Sequence, residues 1–409
     1  MKKWISLLLA LMMVLSCVSL ASAEEQVTLR LMKAESSQHD LWVELAEYYT
    51  ANVAPNVKIE LESYDDEYPT VLGTRINAGE TPDIFVSVPY SSFYEYAEYA
   101  YDLTGHPMLE RVPAPQLEGL TVDGKVLGVA FYGDAQGIIY NKAMFADAGI
   151  EKLPATFSEL REACDKLVAA GYTPFFNCYG ASWVVADAFS PFFALSGNYD
   201  ELAAGLTSGE NSFATTGVLP NFLDWVDMSI EYGNNSVAST FQDQYNAFAF
   251  EECAMILQGN WYENSFNKLF DEGEKPFEIG MFPLPVSEDP EQSLLTTSQA
   301  WGYLVSKDGE HVEEALAFLE WILTTAEGNS IITKIGKLPL IEGMSVQTQL
   351  NSSALEYIDK GQTTFKARSL WPYAFESLMI ETVQAYILGD LDREAAYAQF
   401  AANWAEAVQ

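Results

Sequence analysis

The sequence predicts an α/β protein made of two similar units that are joined through the chain. Strands and helices alternate from Val27 to Val88, and the alternation starts again after Phe145. Between these regions lies the stretch Gly128–Phe145, in which two apolar β-segments flank the polar residues Gly133–Gln136. Alternating strands and helices are typical of α/β folds, and 409 residues are enough for two or three domains.

The first half of the chain is predicted to form a parallel sheet. Its elements are a strand at Val27–Met32, a helix at Asp40–Thr50, a strand at Val57–Leu61, a helix at Tyr68–Ala78 and a nearly unbroken apolar strand at Pro82–Val88. Ligands of such sheets bind beyond the carboxyl ends of the strands. The candidate site residues at these ends are Ser36, Ser37, Asp65 and Tyr90. Asp65 could also belong to a solvated loop, and the aromatic run that begins at Tyr90 could instead pack on the sheet.

The central stretch contains an acid, Asp134, between its two β-segments. A buried carboxylate needs a partner, so this residue is unusual inside an ordinary strand. A strand that leaves one lobe and enters a second one can place Asp134 at the mouth of a cleft. The stretch is therefore either a hinge between lobes or a hairpin with an exposed turn. The α/β pattern that restarts after Phe145 favours the hinge.

The second half of the chain repeats the α/β pattern. The predicted strands are Thr173–Cys178, Glu251–Leu257, Glu278–Leu284 and Ala300–Val305, and the predicted helices are Phe157–Ala170, Phe222–Glu231, Tyr245–Phe250, Glu313–Leu323, Ser353–Gly361, Tyr373–Leu388 and Arg393–Val408. The carboxyl end of the strand Thr173–Cys178 is followed by Tyr179 and Trp183, again where an α/β sheet presents a site.

The N-terminus has the pattern of a secretory signal peptide. Two lysines precede an apolar run from Trp4 to Leu20, which ends at the small-residue site Ala21–Ala23. An alternative is a lipobox at Val14–Cys17, in which Cys17 is lipidated. No other stretch approaches the ~18–20 apolar residues that a membrane span needs. We therefore expect the mature protein outside the cytoplasm, either free or attached to the outer face of the membrane.

The charge of the chain excludes one large class of function. The net charge is −37, and removal of a signal peptide with two lysines and no acids makes it −39. Such an acidic chain repels phosphate backbones and anionic lipids, so we expect no nucleic-acid partner.

Cysteine and histidine positions indicate neither a disulfide framework nor a metal site. The expected mature chain has three cysteines, Cys164, Cys178 and Cys253, for which buried thiols are the default and a Cys164–Cys178 bridge is an alternative. The three histidines are scattered without ligand spacing, and no EF-hand or phosphate-binding glycine motif occurs. The prediction is that the protein has no cofactor and no metal.

Five segments, taken together and in order, resemble one family. They are LGVAFYGDAQGIIYNKAMFADAGI, FEECAMILQGNW, IGMFPLP, GYLVSK followed by EEALAFLEWIL, and ETVQAYILGD. This series is similar to the extracellular solute-binding proteins of ABC importers, in the carbohydrate-binding branch that includes maltose-binding protein. The resemblance spans roughly residues 27–390.

The resemblance implies two α/β lobes, each a mostly parallel sheet flanked by helices, with ligand in the cleft between them. The signal peptide would cover residues 1–23, the first lobe residues 24–133 and 302–345, and the second lobe residues 134–301 and 346–409. The chain would cross between the lobes near Tyr132–Gly137, Ser298–Gly302 and Gly343–Ser352.

The resemblance also implies the residues that contact ligand. Asp134 matches a cleft carboxylate, and Trp261 matches the aromatic of a Gly-x-Trp motif that stacks on a sugar ring. The full set of predicted ligand-binding residues is Ser36, Ser37, Asp65, Tyr90, Asp134, Gln136, Tyr179, Trp183, Trp261, Trp301, Trp371 and Tyr373. The last two rest on a loose match, since the final cleft aromatic of the family could instead align near Glu376. Aromatic rings bury the apolar faces of sugars, and carboxylates and amides bind their hydroxyls, so these residue types suit a sugar.

We therefore predict a monomeric, non-enzymatic binding protein that captures a sugar or oligosaccharide, closes by hinge motion and delivers it to a membrane permease. Two alternatives stay open. A secreted glycoside hydrolase would need two carboxylates ~5–10 Å apart. A binding protein for another solute, such as spermidine, would use the acidic residues to hold cationic groups.

Overall fold

The structure is a computed structural model that describes residues 26–65, 67–234, 236–270, 275–299 and 301–408. The predicted signal peptide and Cys17 lie outside the described residues, and so does the side chain of Tyr373. What the sequence predicts for these residues therefore remains a prediction.

The chain begins with three strands and three helices that build the first lobe, followed by a short hairpin. These elements are β1 (Val27–Ala34), α1 (His39–Asn52), β2 (Val57–Tyr64), α2 (Tyr68–Asn77), β3 (Ile84–Ser87), α3 (Ser91–Tyr96), β4 (Thr121–Val122) and β5 (Lys125–Val126). The hairpin turns at Asp123 and Gly124, which both have positive φ, as the predicted tight turn requires.

A long strand, β6 (Tyr132–Asn141), leads from the first lobe into the second. It is followed by α4 (Lys142–Asp147), α5 (Phe157–Ala169), α6 (Ser182–Phe189), α7 (Tyr199–Ser208), α8 (Val218–Glu231), α9 (Phe241–Ala249), β7 (Met255–Gly259), α10 (Tyr262–Lys268), β8 (Ile279–Phe282) and β9 (Leu295–Gln299). Several of these helices begin at a polar cap. The Asn141 side chain accepts from two backbone N–H groups of α4, and Thr156 and Thr240 cap α5 and α9 in the same way.

The last quarter of the chain contributes to both lobes. Its elements are β10 (Gly302–Val305), α11 (Val312–Thr324), α12 (Ala326–Ile335), β11 (Leu338–Pro339), α13 (Gln349–Ile358), β12 (Thr363–Phe365), α14 (Tyr373–Leu388) and α15 (Arg393–Ala407).

The two lobes have separate sheets and separate cores. The first sheet has the order β10-β3-β1-β2, with β1 parallel to both neighbours and β10 antiparallel to β3. Its core draws on residues 27–132 and 303–346. The cores of the second lobe draw on residues 135–295, 338 and 350–404. The fold is thus a two-lobed α/β fold, as predicted, while the lobe boundaries set from the sequence remain predictions.

The second sheet is organised around β6. The strands β7, β8, β9 and β11 all pair antiparallel with β6, and β12 pairs parallel with β9. These five strands therefore share one direction and β6 is reversed, so four of the five pairings among the described strands of this sheet are antiparallel. The alternation of strands and helices in the sequence does not reveal this reversal, because direction depends on where the chain enters the sheet.

The central stretch does not form the predicted kink. Gly133–Gln136 lie inside the continuous strand β6, and the hairpin alternative is wrong. The first segment, Val129–Tyr132, makes only an isolated bridge from Val129 to Tyr303 before β6 begins. Tyr132 packs in the first core and Ala135 in the core of the second lobe, so the strand itself carries the chain between lobes.

Other predictions differ in detail. Thr173–Cys178 is not a strand, because only Phe175 bridges to β7 there. The elements α6, α7, α12 and β9 had no predicted counterpart. All three described cysteines are buried thiols and none forms a disulfide, so the alternative Cys164–Cys178 bridge is wrong. In the described part of the chain, no helix is long and apolar enough to cross a membrane.

Candidate ligand-binding site

The carboxyl ends of β1 and β2 lie side by side and join two of the predicted site residues. The parallel register pairs Ala34 with Tyr64, so the loops that follow them leave the same edge of the first sheet. The carboxylate of Asp65 accepts hydrogen bonds from the backbone N–H and the hydroxyl of Ser36, at 2.9 and 2.6 Å. All of Ser36, Ser37 and Asp65 are exposed. These residues form a rim on the first lobe rather than a buried pocket.

Two residues at this edge have strained backbones. Glu35 follows β1 with φ 65°, and Tyr90 comes after β3 with φ 71°. Residues other than glycine rarely adopt such angles, and they cluster at functional sites. The strands β1 and β3 are neighbours in the sheet, so both strained residues lie at one edge. Glu35 was not among the predicted site residues, although it directly precedes the predicted residue Ser36.

A buried lysine supports the strained loop at Glu35. The Lys33 ammonium donates to the carbonyls of Ala34 and Glu35 and lies 3.5 Å from Gln38 Oε1. Only 1 % of Lys33 is exposed. Burial lowers the pKa of Lys33 to about 8, and the negative charge of Glu35 opposes that shift. The buried Lys33 ammonium thus holds the Glu35 loop in place, and the charge of Glu35 compensates only part of the cost of burying this cation.

One face of the second sheet carries a row of polar side chains. Asp134 is paired with Ser298 in the ladder, and Gln136 with Thr296. Alternate residues of a strand point to the same face, so these four side chains share one face of the sheet. On the other side of β6, Gln136 is paired with Gly259, two residues before Trp261.

The Gly-x-Trp motif requires a glycine for a steric reason. A Cβ atom at Gly259 would lie 2.1 Å from the ring of Trp261, so only glycine lets the indole rest on the strand. The indole N–H donates to Gln258 Oε1 at 3.0 Å, which fixes the ring orientation. Trp183 approaches edge-on, with ring centroids 6.2 Å apart. Trp261 and Trp183 are both half-buried. The motif therefore builds an oriented, partly open aromatic platform.

An ion cluster joins this platform to the first lobe. We call Glu35, Asp134 and Lys337 the interlobe cluster. The Lys337 ammonium lies 2.6 Å from Glu35 Oε1 and 2.9 Å from Asp134 Oδ1, and 5.1 and 5.9 Å from the ring centres of Tyr132 and Trp261. Only 1 % of Lys337 is exposed. One buried ammonium thus contacts residues of both lobes and of the strand that connects them.

Charges within the interlobe cluster shift the pKa values of its members. Burial alone lowers the pKa of Lys337, but Asp134 and Glu35 outweigh burial and raise it above the ordinary value. Burial raises the pKa of Asp134, and Lys337 opposes that rise. The ammonium therefore stays charged at neutral pH.

A second ion cluster lies against the same indole but within one lobe. We call Asp187, Lys366, Arg368 and Glu376 the second-lobe cluster. Asp187 is 2 % exposed and lies 2.9 Å from the Lys366 ammonium and 3.1 Å from the Arg368 guanidinium. Arg368 also makes a two-bond pair with the carboxylate of Glu376, at 2.7 and 2.9 Å. The Lys366 ammonium lies 5.5 Å from the centre of the Trp261 ring.

Several buried oxygens around the platform have no hydrogen-bond partner among the described residues. They include Glu35 Oε2, Gln136 Oε1 and Thr296 Oγ1. Buried polar atoms are rarely left without a partner. Three such oxygens on or beside one polar face suit a ligand that brings its own hydrogen-bond donors.

Three further contacts join the lobes. The Lys268 ammonium donates to the Ser37 carbonyl, and the Gln299 amide donates to the Gln116 carbonyl. The rings of Tyr90 and Phe365 meet edge-to-face, with centroids 5.0 Å apart. Tyr90 therefore packs against the other lobe, and burial raises its pKa to about 12.

The structure corrects two predicted site residues. Tyr179 is 5 % exposed, with its hydroxyl paired to that of Ser229, and Trp371 is 1 % exposed among Phe189, Phe193 and Phe375. Neither ring has a face open to a ligand, because each fills the core of the second lobe. Trp301 is half-buried against Tyr68, with centroids 6.0 Å apart.

Sequence reasoning missed three charged residues around the Trp261 platform: Glu35, Lys337 and Lys366. Glu35 could have been found, because it directly precedes Ser36, which the α/β pattern had already placed at the carboxyl end of a strand. Lys337 and Lys366 follow helix α12 and strand β12 without any local motif. Only the folded chain brings them to Trp261.

A sequence comparison places the chain with one protein family. The family described as bacterial extracellular solute-binding protein matches residues 35–329. The multiple sugar-binding protein of Streptococcus mutans is 25% identical over 279 residues, which cover 66% of this chain and 65% of that protein. The match thus spans slightly less than two thirds of the length of this curated relative.

Solved structures share the fold at lower sequence identity. A structure of the solute-binding protein RafE in complex with raffinose has a TM-score of 0.82 and 23% identity, over 94% of this chain and 100% of that chain. A further RafE structure gives the source organism as Streptococcus pneumoniae. A chitin oligosaccharide binding protein has a TM-score of 0.78 and 22% identity, over 93% of this chain and 99% of that chain.

Proposed function

Since this chain belongs to the bacterial extracellular solute-binding proteins, we propose that it captures a neutral oligosaccharide between its lobes and delivers it to the permease of an ABC importer. The observation that carries the proposal is the Trp261 platform, beside which lie buried oxygens that have no hydrogen-bond partner among the described residues. An indole ring buries the apolar face of a sugar, and the oxygens accept its hydroxyl groups.

The charge balance of the cleft supports a neutral ligand. Asp134 and Glu35 share the Lys337 ammonium, and Asp187 contacts Lys366 and Arg368, so each of these acids near Trp261 already contacts a cation. A polyamine such as spermidine would have to displace these cations or bind beside them. The interlobe and second-lobe clusters therefore argue against the cationic alternative.

The hydrolase alternative has one feature in its favour. Glu35 and Asp134 both bind the Lys337 ammonium, so their carboxyl groups lie close together, as in retaining glycosidases. A general acid must deliver a proton, however, and the Lys337 ammonium opposes the rise in the pKa of Asp134 that burial causes. The pair is better suited to accepting hydroxyl hydrogen bonds.

A first test measures thermal shift and tryptophan fluorescence with four candidate ligands, namely raffinose, stachyose, a chitin oligosaccharide and spermidine. A ligand at 100 times its dissociation constant stabilises the folded state by ~2.7 kcal/mol, which raises the melting temperature measurably. We expect a saturable response to an oligosaccharide and none to spermidine. Release of shorter sugars on prolonged incubation would show that the protein is a glycoside hydrolase.

The place of action and the assembly state follow from the same proposal. We infer that the protein works outside the cytoplasm, either after cleavage that follows Ala23 or as a lipoprotein attached through Cys17. A monomer with one cleft is sufficient for the proposed delivery. Mass spectrometry of the exported protein distinguishes the two forms, because lipidation adds acyl chains to a new N-terminal cysteine.

A further inference from the structure

No sequence motif predicts the position that the Lys337 side chain occupies in the fold. The antiparallel register of β11 pairs Leu338 with Gly133, which puts Lys337 beside Asp134. The first lobe approaches from the other side through Glu35, whose strained backbone is supported by Lys33. The ammonium therefore lies where the first sheet, the strand β6 and the Trp261 platform meet.

The partners of Lys337 leave oxygens for a ligand. Lys337 binds Glu35 through Oε1, while the other oxygen, Oε2, is buried and has no hydrogen-bond partner among the described residues. Asp134 Oδ1 faces the ammonium at 2.9 Å as an ion pair, outside hydrogen-bond geometry. Two carboxylates this close would repel each other without a cation between them.

We propose that Lys337 is a positioning residue for ligand binding: its ammonium holds the Glu35 and Asp134 carboxylates in place, so that both accept ligand hydroxyls. The proposal rests on the proposed function, since it assigns the partners of the ligand within that cleft. A ligand that bonds to Glu35 of the first lobe and to Asp134 of β6 binds the closed arrangement better than an open one. The ligand class is a neutral polyol with hydroxyls that reach both acids, because the ammonium repels cations.

Titration calorimetry with raffinose, and with each other oligosaccharide of the panel, tests the proposal on the full-length mature chain. We expect Lys337→Met to weaken binding at least tenfold and Lys337→Arg, which keeps the cation, to restore most of it. The matched control is Lys334→Met. Lys334 lies three residues before Lys337, is exposed and pairs with Glu44. That control should bind within twofold of the wild type.

A double-mutant cycle separates positioning from a general loss of structure. Glu35→Gln should weaken binding at least fivefold, and adding it to Lys337→Met should cost little more, because Glu35 is already misplaced. The proposal is overturned if Lys337→Met binds as tightly as the wild type. It is also overturned if the losses of affinity of the two single variants multiply in full in the double variant. Failure of the wild type to bind any oligosaccharide overturns the proposed function instead, and the inference with it.

Circular dichroism melting detects a folding defect in Lys337→Met, which removes the cation that the half-buried acids Glu35 and Asp134 share. If that variant does not fold, Glu35→Gln decides alone, since it keeps the shape of the side chain and leaves Lys337 paired with Asp134. A fivefold weaker affinity at an unchanged melting temperature supports the proposal. Unchanged affinity in folded Glu35→Gln overturns it.

Discussion

The two ion clusters beside Trp261 use the same residue types for different connections. The second-lobe cluster joins α6, the segment after β12 and α14 within one lobe, and each of its acids bonds to a cation. The interlobe cluster joins the first sheet to β6, and within the described part of the chain Glu35 Oε2 has no hydrogen-bond partner. Both place a lysine against the indole, at 5.5 Å for Lys366 and 5.9 Å for Lys337.

From this difference we propose a structural role for the second-lobe cluster and a ligand-binding role for the interlobe cluster. A buried ion network whose charges are all paired holds the fold in one arrangement and has nothing left to offer a ligand. A network that spans two lobes and keeps an open acceptor responds to whatever enters the cleft. We therefore expect mutations in the second-lobe cluster to change stability and mutations in the interlobe cluster to change affinity.

The largest effect is expected from Asp187→Asn. It removes the charge that Lys366 and Arg368 share, and breaking a buried pair in this way costs about 3 kcal/mol in the free energy of unfolding. Urea denaturation measures the loss. Glu278→Gln is the control, because its pair with Lys142 is exposed and should be worth less than ~1 kcal/mol. Unfolding of Asp187→Asn at the wild-type urea concentration would contradict a structural role for the cluster.

Asp134→Asn should instead reduce affinity. Hydrogen bonds to charged groups are worth about 1.5–3 kcal/mol, and Lys337 keeps Glu35 as a partner, so the fold should persist. Calorimetry with the bound oligosaccharide gives the loss, and Asp102→Asn, an exposed acid of the first lobe, should change nothing. A variant that loses stability but not affinity would place Asp134 with the structural acids.

Trp261→Ala tests the surface that both clusters flank. Loss of stacking should weaken sugar binding by ~1–3 kcal/mol while the fold remains intact. Tyr48→Ala is a fair comparison, since that ring is 43% exposed and stacks on Trp321 in the first lobe. If the two variants bind equally well, Trp261 does not belong to the site.

The smallest effect concerns pH and Lys33, which supports the Glu35 loop. Its pKa falls from 10.5 in the unfolded chain to about 8 on folding, so between these values the unfolded chain binds more protons. The free energy of unfolding should therefore rise by about 1 kcal/mol from pH 8 to pH 9 through this group. Lys33→Met should lack this rise, which denaturant titrations at the two pH values would show as a difference between the variants. Parallel titration curves would mean that Lys33 is not the group responsible.

Much of the site could be read from local patterns. The Gly-x-Trp motif located the platform, because Gly259 and Trp261 are only two residues apart and their steric relation is local. Asp134 stood out as an acid among apolar strand residues. Tyr179 and Trp371 were misplaced, since sequence patterns do not tell a ring in a core from a ring in a cleft. Helical and strand periodicity placed most elements but missed α6 and β9, whose apolar patterns are short or follow no clear alternation.

The sequence by itself determined the α/β class, the alternation on both sides of β6, the platform and the acid beside it. These features depend on periodicity and on neighbours in the chain, which the order of residues records directly. Only the tertiary structure decided that β6 runs through both lobes without a kink and that it is reversed within its sheet. It alone brought Glu35, Asp134 and Lys337 together across about 300 residues of chain, because a buried charge is stabilised by whatever opposite charge the fold places next to it.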